Sequence, residues 1–179
     1  MPSILVVTGS VRPNNVNEKV VPHVVAQIEK QGSTAVVADL KALDLPFFDG
    51  PISPASPDYV PTGEGVIEWT KLVTEADGVV FVTPEYNHTL TPVQLNAIDW
   101  IATPLTDKPV ALVGYGWGGA SLAHATAHEV LGVQLKVKLG NIPTNLYFTK
   151  DLSPDGAVLD QPAVDEKIAT TVTELLANI

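Results

Sequence analysis

Ten residues, Thr8-Gly9-Ser10-Val11-Arg12-Pro13-Asn14-Asn15-Val16-Asn17, combine small hydroxyl and amide side chains with a lone arginine. Ahead of a helix, such a stretch offers side-chain donors and unpaired backbone N–H groups to an anion. Arg12 adds a permanent, forked positive charge suited to phosphate. The same residues could also serve an ordinary capped turn. Neither Gly-x-Gly-x-x-Gly nor a Gly-Lys-Ser/Thr ending is present, so one terminal phosphate fits better than a pyrophosphate or triphosphate. A second stretch, Thr83-Pro84-Glu85-Tyr86-Asn87-His88, places an aromatic, a carboxylate and an amide side by side. It can frame a flat heteroaromatic ring, or simply turn before a helix at Pro92. In the third, Gly114-Tyr115-Gly116-Trp117-Gly118-Gly119, glycines let the backbone approach a ligand closely. Tyr115 and Trp117 can pack on a ring there, or against a neighbouring element.

Rival constellations are thinner. His124 and His128, four apart on a helix with Glu129 beside them, have metal-ligand spacing but no third ligand in view. Ser121, His124 and Asp99 suggest a hydrolytic triad, yet Gly-x-Ser-x-Gly is missing. Glu68 and Glu75 are most simply the solvated face of a helix. Composition narrows the classes further. With no cysteine, the chain has no disulfide, thiolate metal site or cysteine nucleophile. Ten basic against twenty acidic residues give −10, which disfavours nucleic acids and anionic membranes as partners. No apolar run approaches the ~20 residues of a membrane span. Met1-Pro2-Ser3-Ile4 lacks a basic leader and runs into a strand, so a cytoplasmic protein is expected. At 179 residues and 45% apolar, a single domain spanning 1–179 is expected.

The elements that must position these stretches alternate between two periods. Strands are predicted at Ile4–Val7, Ala35–Ala38, Gly78–Thr83 and Val110–Val113, with a fifth, edge-like strand at Gln134–Lys138. Helices are predicted from Asn17 to Ile28, Val66 to Ala76, Pro92 to Ile101, Ser121 to Leu131, and Val164 to Ile179. Pro46, Pro51, Pro54, Pro57 and Pro61 mark Leu43–Gly65 as one long irregular loop. Alternating strands and helices imply an α/β fold with a parallel sheet covered on both faces. Such sheets bind ligands at the carboxyl ends of their strands. The three stretches follow the first, third and fourth strands.

Gly9-Ser10-Val11-Arg12 with Asn17, Pro84-Glu85-Tyr86-Asn87, and Asn96-Ala97-Ile98-Asp99-Trp100 together resemble the NAD(P)H-dependent FMN reductase family. The likeness in order and spacing runs from Ile4 to about Leu131. It implies a flavodoxin-like three-layer sandwich, with a five-stranded parallel sheet in the order 2-1-3-4-5 and helices on both faces. It also implies FMN as cofactor and NAD(P)H as co-substrate, with the chemistry carried by the flavin. Ser10, Arg12 and Asn17 would hold the FMN phosphate, with Asn15 and Val16 beside them. Pro84, Glu85, Tyr86 and Asn87 would line the isoalloxazine, and Tyr115, Gly116, Trp117 and Gly118 its other side. Tyr86, His88 and Trp117 would wall the substrate pocket.

The activity implied is a ping-pong transfer to a second acceptor: free flavin, a quinone, an azo compound or a metal oxyanion. The alternative in a different class is a non-enzymatic FMN electron-transfer protein of flavodoxin type. The family likeness further implies a homodimer or homotetramer, and Phe47, Phe48 and Tyr59 of the long loop would be exposed unless an interface covers them. Thr91-Pro92-Val93-Gln94-Leu95 departs from the family, which usually has a Pro-Gly pair followed by leucine and lysine. The glycine-rich loop after the fourth strand is also shorter than is common in the family.

Overall fold

In a computed structural model describing Met1–Ile179, the β-branched run Ile4-Leu5-Val6-Val7 lies in strand β1 (Ser3–Val7), all four side chains buried. β1 has parallel neighbours on both sides. Ile4 stands opposite Ala35 of β2 (Thr34–Ala38) and opposite Gly78 of β3 (Gly78–Pro84). β4 (Pro109–Gly116) pairs with the far side of β3, Val80 opposite Ala111. β3 is buried along its whole length, as expected of a strand covered above and below. Beyond β4 lies a fifth position, giving the flavodoxin-like order 2-1-3-4-5.

Alternate strand residues face two cores. Ile4, Val6, Val80 and Val113 meet helices α1 (Asn17–Lys30) and α6 (Gln161–Leu176), which bring Val20, Val24, Ile28, Val164, Ile168 and Val172. Leu5, Val7, Phe81 and Leu112 face the other side, toward α2 (Leu40–Leu43), α3 (Glu64–Glu75), α4 (Pro92–Asp99) and α5 (Ser121–Ala127). Trp69 of α3 is fully buried in that second core and donates its Nε1–H to the Ala97 carbonyl at 2.8 Å, joining α3 to α4.

The alternating run Gln134–Lys138 does not form the fifth strand. Gln134 ends a π-helical stretch, His128–Gln134, that continues α5, and Lys136 turns left-handed with φ 57°, which an extended run does not tolerate. Pairing begins only at β5 (Lys138–Leu139), opposite Pro109 and Val110. A separate strand, β6 (Thr144–Tyr147), continues along the same edge opposite Val113 to Gly116. Leu139 to Thr144 is five residue steps where Val110 to Val113 is three, so the outer chain bulges between them. Glu174 of α6 fills the bulge, accepting the N–H of Asn141 at 2.9 Å and of Ile142 at 2.8 Å.

The long loop between α2 and α3 is fastened to α4. Asn96 accepts the Phe48 N–H at 2.9 Å, and Asn96 Nδ2 and Trp100 Nε1 both donate to the Pro46 carbonyl, at 2.8 and 2.7 Å. The Tyr59 hydroxyl donates to the Trp100 carbonyl at 3.3 Å, and Phe48 packs edge-on against the Trp100 ring at 4.8 Å. Trp100, at the end of α4, therefore half-buries Phe48 and Tyr59. Of the three aromatics expected at the loop's surface, Phe47 alone stands out, 84% exposed.

Candidate active site

β1 stops pairing with β3 at Val7 and Phe81, while β3 continues beside β4 to Pro84. The Val82 carbonyl, just past the end of β1, is taken by two side chains instead: Asn17 Nδ2 at 3.2 Å and Gln94 Nε2 at 3.1 Å. Gly9 passes so close that a Cβ there would lie 2.3 Å from the same oxygen, so the turn out of β1 requires glycine. Gln94 is fully buried at the start of α4, where Thr91 caps the helix by accepting the Gln94 N–H. The Thr91–Leu95 departure from the family pattern thus supplies a prop beneath the site.

Asn17 has both ends of its amide in use. Its Oδ1 accepts the Tyr115 hydroxyl at 2.6 Å, and the residue is 3% exposed. Its side chain ties α1 to β3 and β4 under the cleft and lies outside the residues that line it. Burial, then the nearby Tyr86, raise the Tyr115 pKa well above that of an ordinary phenol, so this hydroxyl keeps its proton and donates it.

Above this floor the three loops enclose a cleft of about 480 Å³. The first loop contributes Ser10, Arg12, Asn15 and Val16; the second, Pro84, Glu85 and Tyr86; the third, Tyr115, Gly116, Trp117 and Gly118. Those eleven of the thirteen expected cofactor positions converge, Asn17 and Asn87 being the other two. Asn87 and His88 lie off the cleft for a local reason. Tyr86 and Thr89 exchange backbone hydrogen bonds around them, and their φ values of 50° and 63° make a type I′ turn whose tip faces solvent. His88 is no pocket wall; its ring is 74% exposed and meets Glu85 at 3.3 Å.

Pro13, Asn14, Phe148, Pro154 and Asp155 also line the cleft and were not among the expected residues. The last three follow β6, a strand too short to announce itself in the sequence pattern. Phe148 meets Trp117 edge-on at 5.5 Å. Asp155 pairs with Lys19 of α1 at 2.7 Å. Hydrogen bonds from Lys19 and Ser153 bring the Asp155 carboxyl down to about 2, so it is ionised.

At one end of the cleft, the backbone N–H groups of Asn15, Val16 and Asn17 donate to no oxygen of the chain, and Arg12 lies beside them. This is the anion cradle that a helix N-terminus offers. Ser10 Oγ and the Tyr86 hydroxyl, 3.3 Å apart, link the first loop to the second. Glu85 Oε2 accepts the N–H groups of Leu122 and Ala123, at 3.0 and 3.1 Å, in the first turn of α5. Partial burial pushes the Glu85 carboxyl up. The N–H groups of Ala123 and Leu122 and the His88 ring outweigh that and leave it below the ordinary glutamate value, so it stays ionised.

A parallel sheet in this order, with one cleft over the ends of β1, β3 and β4, defines a flavodoxin-like protein. Residues 2–150 match the NADPH-dependent FMN reductase family, and the chain belongs to it. It is a flavin-dependent oxidoreductase with FMN as cofactor and NAD(P)H as co-substrate. An NAD(P)H-dependent FMN reductase of Saccharomyces cerevisiae is 31% identical over 157 residues, 77% of this chain and 82% of that protein. A quinone reductase of Escherichia coli is 32% identical over 131 residues, 68% of this chain and 67% of that protein. Among solved structures, the fold is shared with FerB, a flavoenzyme NAD(P)H:(acceptor) oxidoreductase from Paracoccus denitrificans. The TM-score is 0.74, with 99% of each chain covered and 22% identity.

Proposed function

We propose that this protein passes two electrons from NAD(P)H, through FMN held in the cleft, to a small-molecule acceptor, the two substrates entering one pocket in turn. The observation that carries this reading is a single cleft joining a helix-end anion cradle to walls of tyrosine, tryptophan and glycine. Its size suits the ligand, since small-molecule pockets run ~300–1,000 Å³. Arg12, Ser10 and the N–H groups of Asn15 to Asn17 would take the phosphate. Pro84, Glu85 and Tyr86 would flank one side of the ring, and Tyr115, Gly116, Trp117 and Gly118 the other.

When bound, FMN supplies the redox chemistry, taking a hydride from NAD(P)H and returning the electrons to the acceptor. The chain's residues bind, orient and exclude water. Gly118 has no atom within 4 Å of where a Cβ would stand, which leaves the backbone open to a flat ligand. Glu85 is ionised and saturated by the α5 N–H groups, so it anchors a loop and donates no proton. Tyr86 and Trp117 remain as walls for nicotinamide and acceptor alike. A quinone, an azo compound, free flavin or a metal oxyanion fits this role.

Steady-state rates at several fixed acceptor concentrations should give parallel double-reciprocal lines. Trp117→Ala should change both Michaelis constants while leaving FMN largely bound. Intersecting lines would show that the pocket is not shared. A homodimer or homotetramer belongs to the same reading, with Phe47 available for the contact. A monomeric mass by light scattering at micromolar concentration would refute that part.

A further inference from the structure

α5 touches both of the loops that face each other across the cleft. Its first turn holds Glu85 of the second loop through the N–H groups of Leu122 and Ala123. The next residue, His124, sits beneath the third loop, 7% exposed. Its ring fills the space over Gly114 of β4, where a Cβ would lie 2.4 Å from Nε2. Burial pushes its pKa down to about 4 against the pull of Glu85, so the imidazole is neutral.

Asn145 of β6, opposite Gly114 in the sheet, places its Nδ2 3.2 Å from His124 Nδ1 and 2.6 Å from the Gly119 carbonyl. An amide nitrogen carries two hydrogens, so one goes to each acceptor. The imidazole hydrogen is then on Nε2, which has no partner. Leaving a buried donor unpaired is unfavourable. His124 is engaged through its other nitrogen: the Gly119 carbonyl, which can only accept, takes one hydrogen of the Asn145 amide, and His124 Nδ1 takes the second. Without that acceptor the second hydrogen has no partner, and the amide is held at the Gly119 carbonyl alone. The rest of β6 completes the support. The Tyr147 ring occupies the space over Gly119, Cζ lying 2.7 Å from where a Cβ would be. Phe148 donates its N–H to the Gly116 carbonyl at 3.0 Å.

We propose that His124, acting through Asn145, is a positioning residue for the Gly116–Gly119 wall of the cleft. By giving the Asn145 amide a second anchor it steadies the bond to the Gly119 carbonyl, and so sets Trp117 and Gly118 against the bound flavin. The inference rests on the reading that FMN occupies this cleft.

The test is titration of the apoprotein with FMN, followed by flavin fluorescence, together with the visible circular dichroism of the reconstituted holoprotein. Asn145→Asp keeps the shape and exchanges the donor for an acceptor; the FMN dissociation constant should rise about tenfold, as for loss of one well-formed hydrogen bond. His124→Leu should raise it similarly and change the flavin dichroism. His124→Asn, whose Oδ1 replaces Nδ1 as acceptor, should recover binding to within about threefold of wild type. Arg12→Ala is the control for the cleft itself. Arg12→Ala weakened, with Asn145→Asp and His124→Leu both near wild type, would overturn the inference and leave FMN in the cleft. Unchanged binding by Arg12→Ala would misplace the phosphate, and with it the reading of the cleft on which the inference rests. A His124→Asn protein as impaired as His124→Leu would show that bulk, not the acceptor, matters. If His124→Leu does not fold, His124→Phe, which keeps a ring and removes the acceptor, takes its place.

Discussion

Val82 shows how one backbone oxygen can organise a binding site. Its carbonyl receives both Asn17 and Gln94, and the Gly9 turn passes directly over it. Gln94→Leu would bury leucine against that oxygen and remove one donor, at a cost of ~1–3 kcal/mol in urea unfolding with little change in slope. Asn17→Leu should cost more, because the Tyr115 hydroxyl is left buried without its acceptor as well. Arg12→Ala lies at the other extreme, on an exposed loop. It should leave stability unchanged and weaken FMN binding by ~1.5–3 kcal/mol, measured by apoprotein titration. Unchanged affinity there would misplace the phosphate. Sequence alone does not separate Asn15 from Asn17, since both are amides at the start of one helix. Asn15 lies in the turn before α1 and lines the cleft, whereas Asn17 is the first residue of α1 and its side chain is buried against the sheet. Residue type marked the chemistry available at this turn; it did not show that Asn15 Nδ2 would donate to the Arg12 carbonyl and to Glu18, and Asn17 to the Val82 carbonyl.

At the scale of elements, the strands and helices with strong periodicity were legible, and so were the three loops at their ends. What was not legible was the edge beyond β4. Gln134–Lys138 alternates polar and apolar residues, yet it closes a π-helical stretch and a left-handed turn, while β6 is four residues long and preceded by Pro143. A strand that short carries little periodic signal. Phe148 and Asp155 were hidden with it. The Asn-Ala-Ile-Asp-Trp run reads differently once seen in place: Asn96 and Trp100 hold the long loop and do not enter the cleft. Trp100→Phe keeps the aromatic packing on Phe48 and loses the bond to Pro46. It should cost about 1 kcal/mol and speed hydrogen exchange at the Phe48 amide, whose partner Asn96 shares that anchor. Unaltered exchange would mean that the Trp100–Pro46 bond does not help to secure the loop.

For the molecule as a whole, His124 sets a pH dependence. Its folded pKa of about 4 lies below the ordinary 6.5. As pH falls, the unfolded chain therefore takes up this proton before the folded one does, and stability drops. The stabilisation is complete above pH 6.5 and is lost progressively toward pH 4, roughly 3 kcal/mol in all at 1.36 kcal/mol per unit. Glu85, whose pKa is lowered in the folded state, adds a loss of the same sign at lower pH. Urea midpoints should thus fall between pH 7 and pH 4.5, and His124→Asn should flatten that fall; an unchanged slope in the variant would assign it to other groups. The bulge filled by Glu174 has a further consequence, for self-association. Exposed strand rims are templates for intermolecular pairing, and short or bulged edges blunt them. Along β4 the rim is two short strands parted by the bulge, with a carboxylate seated on its free amides. The opposite rim is β2, five residues without interruption and with Val37 45% exposed. Runaway strand-by-strand aggregation of this protein would therefore grow from β2, and a lysine at Val37 is the place to stop it.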